Sequence, residues 1–148
     1  MFTVDASVWV NASGKNELGY AQSRRMLAEI VQQKISIYVP TLILAEVGGA
    51  LSRRRTKLQR INRIITQIAT LQYLHLIPID LSIAQHAQDL AIQHRLKGAD
   101  AIYVAIASLH RCKLVSLDQE HLGLSNDIVV VQTPTQALTD LIAGSGKL

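Results

Sequence analysis

The segment Gly98-Ala99-Asp100-Ala101-Ile102-Tyr103-Val104-Ala105-Ile106-Ala107-Ser108-Leu109-His110-Arg111-Cys112-Lys113-Leu114-Val115-Ser116-Leu117-Asp118 decides how the rest of the chain is read. Gly98 interrupts the helical pattern before it, and Asp100 stands in the first turn of the next helix, where the helix dipole and unpaired N–H groups favour a carboxylate. Ile102, Val104, Ala105, Ile106 and Leu109 make that helix apolar on more than one face, which predicts deep packing. Lys113 to Leu117 is then a short apolar run closed by an acid, the pattern of a buried parallel strand. Asp118 falls at its C-terminal tip, where open α/β sheets place their ligands.

Working outward, the same alternation recurs. Met1 to Val4 is an apolar run ending at Asp5, followed by a short helix from Ala6 and a polar loop from Asn11 to Gly19. Helical spacing runs from Tyr20 to Gln33, and a β-branched strand from Ile35 to Val39 is closed by Pro40. Thr41 is placed to cap a helix that runs from Leu42 to Arg53-Arg54-Arg55, in which the Gly48-Gly49 pair predicts close approach by another backbone. Another helix is expected from Leu58 to Leu71, and a strand from Leu74 to Ile79, which Pro78 marks as an edge. A helix from Leu81 to Leu96, capped by Asp80, leads into the opening segment. Beyond it lie a polar loop from Gln119 to Asn126, a strand from Asp127 to Val131, and a helix from Pro134 to about Ile142. Strands alternating with helices predict a three-layer α/β/α fold with a central parallel sheet. Residues 1–142 form one domain in this reading, and 143–148 a flexible tail.

A hydrophobic fraction of 49% against 18% charged residues excludes a disordered chain. Fifteen Lys and Arg against eleven Asp and Glu permit a polyanionic partner such as RNA without demanding one. The single cysteine, Cys112, cannot form an intramolecular disulfide. Asp5 within the first apolar run argues against a signal peptide. No apolar stretch reaches the roughly 18–20 residues needed to cross a bilayer, so a cytoplasmic protein with no membrane partner is expected.

Asp5 and Asp118 close parallel strands and should share one edge of the sheet, Asp100 opens the helix just upstream, and Glu46 joins them if its helix lies over that edge. Four converging carboxylates repel unless a cation sits between them. A hard divalent ion, Mg²⁺ or Mn²⁺, suits oxygen ligands. Such an ion lowers the pKa of water and offsets charge on a phosphodiester.

The segments Val4-Asp5-Ala6-Ser7, Ala45-Glu46-Val47, Gly98-Ala99-Asp100-Ala101-Ile102 and Leu114-Val115-Ser116-Leu117-Asp118 resemble the acidic motifs of PIN-domain ribonucleases, most closely the short VapC-like toxins of type II toxin–antitoxin pairs. The resemblance runs in order over nearly the whole chain. It implies a PIN-like fold and a Mg²⁺- or Mn²⁺-dependent endoribonuclease, dimeric, and restrained by a cognate antitoxin, VapB-like or of another family. Asp5, Glu46, Asp100 and Asp118 match the family's metal-binding acids, Ser7 and Ser116 its hydroxyl residues beside the first and last of them, and Glu120 is the candidate for a further acid.

Each acid also has a plainer reading. Asp100 could be a helix-start acid, Glu46 a helix acid paired with Arg53 or Arg54, and Asp118 turn chemistry. A lone acid closing a buried strand, as Asp5 does, requires a partner. Arg53-Arg54-Arg55, with Lys57, Arg60 and Arg63, is either a solvated helix end or a surface for RNA or an acidic partner. Arg95 and Lys97 stand nearer the acids and are better placed for a phosphate. Core packing is the first reading for Trp9 and Tyr103. The five histidines lack zinc spacing and read as structural or exposed. The rival functions are a catalytically inactive PIN-fold module that binds RNA or protein, a metal-dependent phosphatase, and, closer in kind, a DNA nuclease.

Overall fold

In the computed structural model, which describes residues 1–145, Phe2–Val4 forms the central strand β1, and all three of its side chains are buried. Successive strand residues point to opposite faces, so both faces of the sheet are covered. β2 (Ile37–Pro40) and β4 (Lys113–Val115) flank β1, with β3 (Leu74–Ile77) beyond β2 and β5 (Val131–Gln132) beyond β4. Every pairing is parallel and the order is β3-β2-β1-β4-β5. The expected α/β/α fold with a central parallel sheet is the one observed, with β3 at an edge.

The helices are α1 (Ala6–Asn11), α2 (Tyr20–Gln32), α3 (Leu42–Arg53), α4 (Leu58–Ala69), α5 (Leu81–His94), α6 (Gly98–Leu109), α7 (Gln119–Leu122) and α8 (Pro134–Ser145). α6 lies against β1, β2 and β4 and packs on α5. Its buried residues, Ala101 and Tyr103 through Ala107, account for its apolar composition. α1 packs against α2 and α3, α2 against α8, and α3 against α4. Among the described residues no helix is long and apolar enough to cross a membrane.

Chain order runs outward from β1 to β3 on one side and from β4 to β5 on the other. The C-terminal crevice between β1 and β4 is therefore the switch point at which such sheets bind ligands. Val4 pairs with Val115, so Asp5 and residues 116–118 leave the sheet side by side.

Several boundaries differ from the sequence expectation, each for a local reason. β4 ends at Val115: Ser116 N still donates to Gln132 O at 3.1 Å, but the N–H groups after it turn to hydroxyls, Leu117 N donating to Ser7 Oγ at 3.1 Å and Asp118 N to Ser116 Oγ at 3.0 Å. The expected loop after Asp118 holds the short helix α7, capped by the Asp118 carboxylate, which accepts from Glu120 N at 2.8 Å. The last strand is Val131–Gln132, not Asp127 to Val131, because Ile128 N is held in a turn by Ser125 O at 3.1 Å. α8 continues through Ser145, three residues past its expected end, and residues 146–148 of the expected tail lie outside the described residues. Asp80 caps α5 as expected, accepting from Ile83 N at 2.9 Å. Thr41 does not cap α3, since its backbone is already helical and its hydroxyl makes no capping bond.

The close backbone approach expected at Gly48-Gly49 is also absent. A Cβ on Gly48 would meet the Ile65 methyl at 3.8 Å, an ordinary contact, and one on Gly49 would meet the Arg53 guanidinium at 3.3 Å. Gly48→Ala therefore removes backbone entropy from the unfolded chain without a clash. It should stabilise the protein by about 1 kcal/mol and raise the melting temperature by about 2–4 °C. A lower melting temperature would show that Gly48 meets something other than Ile65.

Candidate active site

Asp5 leaves β1 as the N-cap of α1, and its carboxylate is almost wholly buried. Its Oδ2 accepts from Ser7 N at 3.1 Å, from Ser116 Oγ at 3.2 Å, and from Ser7 Oγ in a short hydrogen bond. Oδ1 receives no donor among the described residues. Each serine does two jobs. Ser7 Oγ also accepts from Leu117 N, and Ser116 Oγ from Asp118 N. The two hydroxyls thus stitch the segment after β1 to the segment after β4, with Asp5 at the seam.

Glu46, on the second turn of α3, is met by the hydroxyl of Tyr103 at 2.6 Å. Burial pushes its carboxyl above the ordinary value; the Tyr103 bond opposes this and the Asp5 charge adds to it. The same burial, with Glu46 beside it, pushes the Tyr103 phenol upward. Asp100, in the first turn of α6, is raised to about 6. Burial is the main cause. The nearby His121 opposes it, while a hydrogen bond with Glu120 and the charges of Asp118 and Asp5 add to it. Glu120 is held low, chiefly by Lys97, whose Nζ lies 2.6 Å from its Oε1. That partnership raises Lys97 in turn.

The structure therefore brings together Asp5, Glu46, Asp100 and Asp118, with Glu120, Ser7, Ser116 and Lys97 around them. Arg54 is turned away, in an ion pair with Glu17, so the plain pairing of Glu46 with Arg54 is not made. Arg53 lies two turns beyond Glu46, about 10 Å along the helix. Arg95 is exposed at the C-cap of α5 in a left-handed conformation (φ 57°) and makes no ion pair among the described residues. Trp9 packs in the core with its indole N–H on Val4 O at 3.2 Å.

Sequence reasoning treats His121 as structural or exposed and Tyr103 as packing. His121 is completely buried between Ser116 and Asp100, and the otherwise buried Tyr103 reaches Glu46 with its hydroxyl. Neither contact is local in sequence: Tyr103 meets an acid on α3, and His121, on α7, meets Asp100 of α6 from 21 positions away in the chain.

The donor set fits a hard divalent cation: carboxylate oxygens throughout, raised carboxyl pKa values, and lone pairs on Asp5 left without a protein donor. Among the described residues, no three His, Cys, Asp or Glu side chains stand close enough to hold an ion by themselves.

An all-parallel sheet with carboxylates gathered at its switch point places the chain among the α/β proteins whose site lies at the carboxyl edge of the sheet. The chain belongs to the PIN domain family, whose sequence model matches residues 2–125. No curated protein sequence matches it. Among solved structures it is similar to the VapC20 toxin of Mycobacterium tuberculosis, described as cleaving the sarcin-ricin loop, with a TM-score of 0.70 and 14% identity over 84% of this chain and 97% of that one. It is similar also to a toxin–antitoxin complex from Klebsiella pneumoniae, with a TM-score of 0.66 and 22% identity over 90% of this chain and 98% of that one. A third is VapBC2 of Rickettsia felis bound to a DNA fragment from its promoter, with a TM-score of 0.65 and 14% identity over 89% and 97%. At these identities the likeness establishes the fold.

The crowding has a cost in stability. Asp100 moves from its ordinary 3.8 to about 6, so between those values the folded state holds the proton more tightly than the unfolded chain does. Stability is then lost as pH rises through that window. In metal-free protein, Asp100→Asn should add about 1 kcal/mol near neutral pH, less than the full shift because the carboxyl is partly exposed and screened. It should also flatten the fall in melting temperature between about pH 4 and 6. Parallel melting curves for both proteins across that range would show that Asp100 is not strained.

Proposed function

We propose that the chain is a Mg²⁺- or Mn²⁺-dependent endoribonuclease and the toxin of a toxin–antitoxin pair. The observation that carries this is the convergence of Asp5, Glu46, Asp100 and Asp118 at the β1–β4 switch point, close enough for Asp100 to be raised by Asp118 and Asp5. Membership of the PIN family and the toxin–antitoxin neighbours support it.

In this reading the four acids hold the ion, and Glu120 lies in reserve beside Asp100. A divalent ion held there supplies Lewis acidity and positive charge against the phosphodiester. The remaining work belongs to the chain. Ser7 and Ser116 hold Asp5 in one orientation, and Tyr103 does the same for Glu46. Glu46, with its raised pKa, is suited to orient the attacking water and take its proton. Lys97 and Arg95 flank the acids, where cations meet the RNA backbone. Arg53 and Arg54 stand apart from that surface, Arg54 being paired with Glu17, so Lys97 and Arg95 should account for binding that weakens as salt rises.

Wild type and Asp100→Asn are compared on a mixed structured RNA pool in Mg²⁺, Mn²⁺ and EDTA. Losing a metal ligand should cost more than the about 10–100-fold that losing a ligand's supporting partner costs, and EDTA should abolish cleavage by wild type. Equal cleavage by both proteins would put the active site elsewhere.

The antitoxin also has a candidate seat. A groove of about 1130 Å³ between α1, α2 and α4 has an apolar floor that includes Trp9, Leu27, Ile64 and Ile68, and a basic rim that includes Arg24 and Arg63. Its charge and shape suit an amphipathic antitoxin segment with an acidic face. Arg63→Glu combined with Ile64→Asp should abolish co-purification with the co-expressed antitoxin while leaving RNA cleavage intact. Retained co-purification would move the interface elsewhere. The chain alone is proposed to be a cytoplasmic homodimer through its apolar α3 and α4, which light scattering tests: a monomeric mass would refute it.

A further inference from the structure

We infer that His121 is the positioning residue of the acidic site, the side chain through which the supports of all four acids are joined. The inference rests on the nuclease reading for its functional consequence, and on geometry alone for its structural one.

The imidazole is fully buried, and each of its polar atoms has a partner. Nε2 lies 3.1 Å from the carbonyl oxygen of Asp100 and 3.8 Å from that residue's Oδ1. Nδ1 lies 3.0 Å from Ser116 Oγ. The ring meets Tyr103 edge-on, with centroids 6.3 Å apart and planes at 70°.

The hydrogen-bond accounting constrains the ring. A carbonyl oxygen only accepts, so Nε2 carries a hydrogen, and Nδ1 is left facing Ser116 Oγ. Ser116 Oγ has one hydrogen and two lone pairs. It accepts from Asp118 N at 3.0 Å, and its hydrogen lies between Nδ1 and Asp5 Oδ2, the latter at 3.2 Å. A hydroxyl rotor with partners on these sides has little freedom. Through it His121 acts on Asp5 and on the backbone of Asp118. Through the carbonyl it holds the first turn of α6, which carries Asp100. Through its edge-on ring contact it backs Tyr103, which holds Glu46.

Two plainer roles do not fit. A residue that merely filled space would be apolar here, because burying an imidazole costs free energy unless both nitrogens are paired. Nor is it free to be a metal ligand, since Nε2 is committed to a carbonyl and Nδ1 to a serine. Supporting partners of this kind fix the orientation of the groups that bind an ion.

The test uses the full chain with His121→Phe, which keeps the ring volume and loses both hydrogen bonds, and His121→Gln, whose amide can still donate to the Asp100 carbonyl. In metal-free wild type, long-range ¹H–¹⁵N correlations of the ring should show the Nε2–H form. By amide exchange, the Asp118 N–H should open about tenfold faster in both variants, with protection unchanged at Val104 and Ala105 inside α6. In His121→Phe the Kd for Mn²⁺, read by electron paramagnetic resonance of the free ion, should rise about 10–100-fold. Cleavage should lose kcat while KM for RNA is unchanged, and His121→Gln should recover part of both losses. An Nδ1–H ring, or unaltered Asp118 exchange and Mn²⁺ affinity in His121→Phe, overturns the proposal. Should His121→Phe not fold, His121→Gln decides on the Asp118 exchange. If wild type neither binds Mn²⁺ nor cuts RNA, the nuclease reading falls, and the ring tautomer and Asp118 exchange still decide the positioning role.

Discussion

A carboxyl group buried at the end of the central strand must have donors brought to it, and that constraint shapes the whole carboxyl edge of this protein. Asp5 has almost no water to solvate it. Ser7 supplies an N–H and a hydroxyl from its own helix, and Ser116 a hydroxyl from the neighbouring strand's exit. Because those same hydroxyls accept the N–H groups of Leu117 and Asp118, the chain after β4 turns out of the sheet early. The bend then delivers Asp118 to the start of α7, where it caps the helix that carries His121. One desolvated charge thus sets the path of more than one segment.

The surrounding acids pull the other way. Asp100 and Glu46 sit above their ordinary pKa values, and Asp100 shares a hydrogen bond with Glu120. Among the described residues the Lys or Arg this arrangement draws from nearby is Lys97, which is exposed and binds Glu120 from the rim. The site carries more negative charge than its own residues neutralise. Protein sites of this kind are stabilised by what binds them, which is why function and stability are opposed here.

The acids were legible because each interrupts an apolar pattern at a point where a hydrophobic residue would otherwise stand: Asp5 after Val4, Asp118 after Leu117, Asp100 before a wholly apolar helix. The order of strands and helices was legible for the same reason, since burial imposes periodicity. What could not be read depended on contacts between distant parts of the chain. The four-residue α7 exists because Asp118 caps it and His121 is buried beneath it, neither of which leaves a periodic trace. Tyr103 reads as a core residue from its neighbours, and only the fold brings its hydroxyl to a carboxylate 57 positions away in the chain. Val129 is buried without belonging to a strand, so a β-branched run misplaced β5. The Gly48-Gly49 pair suggested a close contact that the packing does not make.

The position of β1 in the sheet has a consequence for the order of folding. Phe2, Thr3 and Val4 pair with Lys113, Leu114 and Val115, across the same 111-residue separation that divides Asp5 from Ser116. Closing so long a loop is slow and happens late. Asp5 therefore meets Ser116 only once that pairing forms, so the acidic edge is among the last parts of the molecule to assemble and is missing from a partly folded chain.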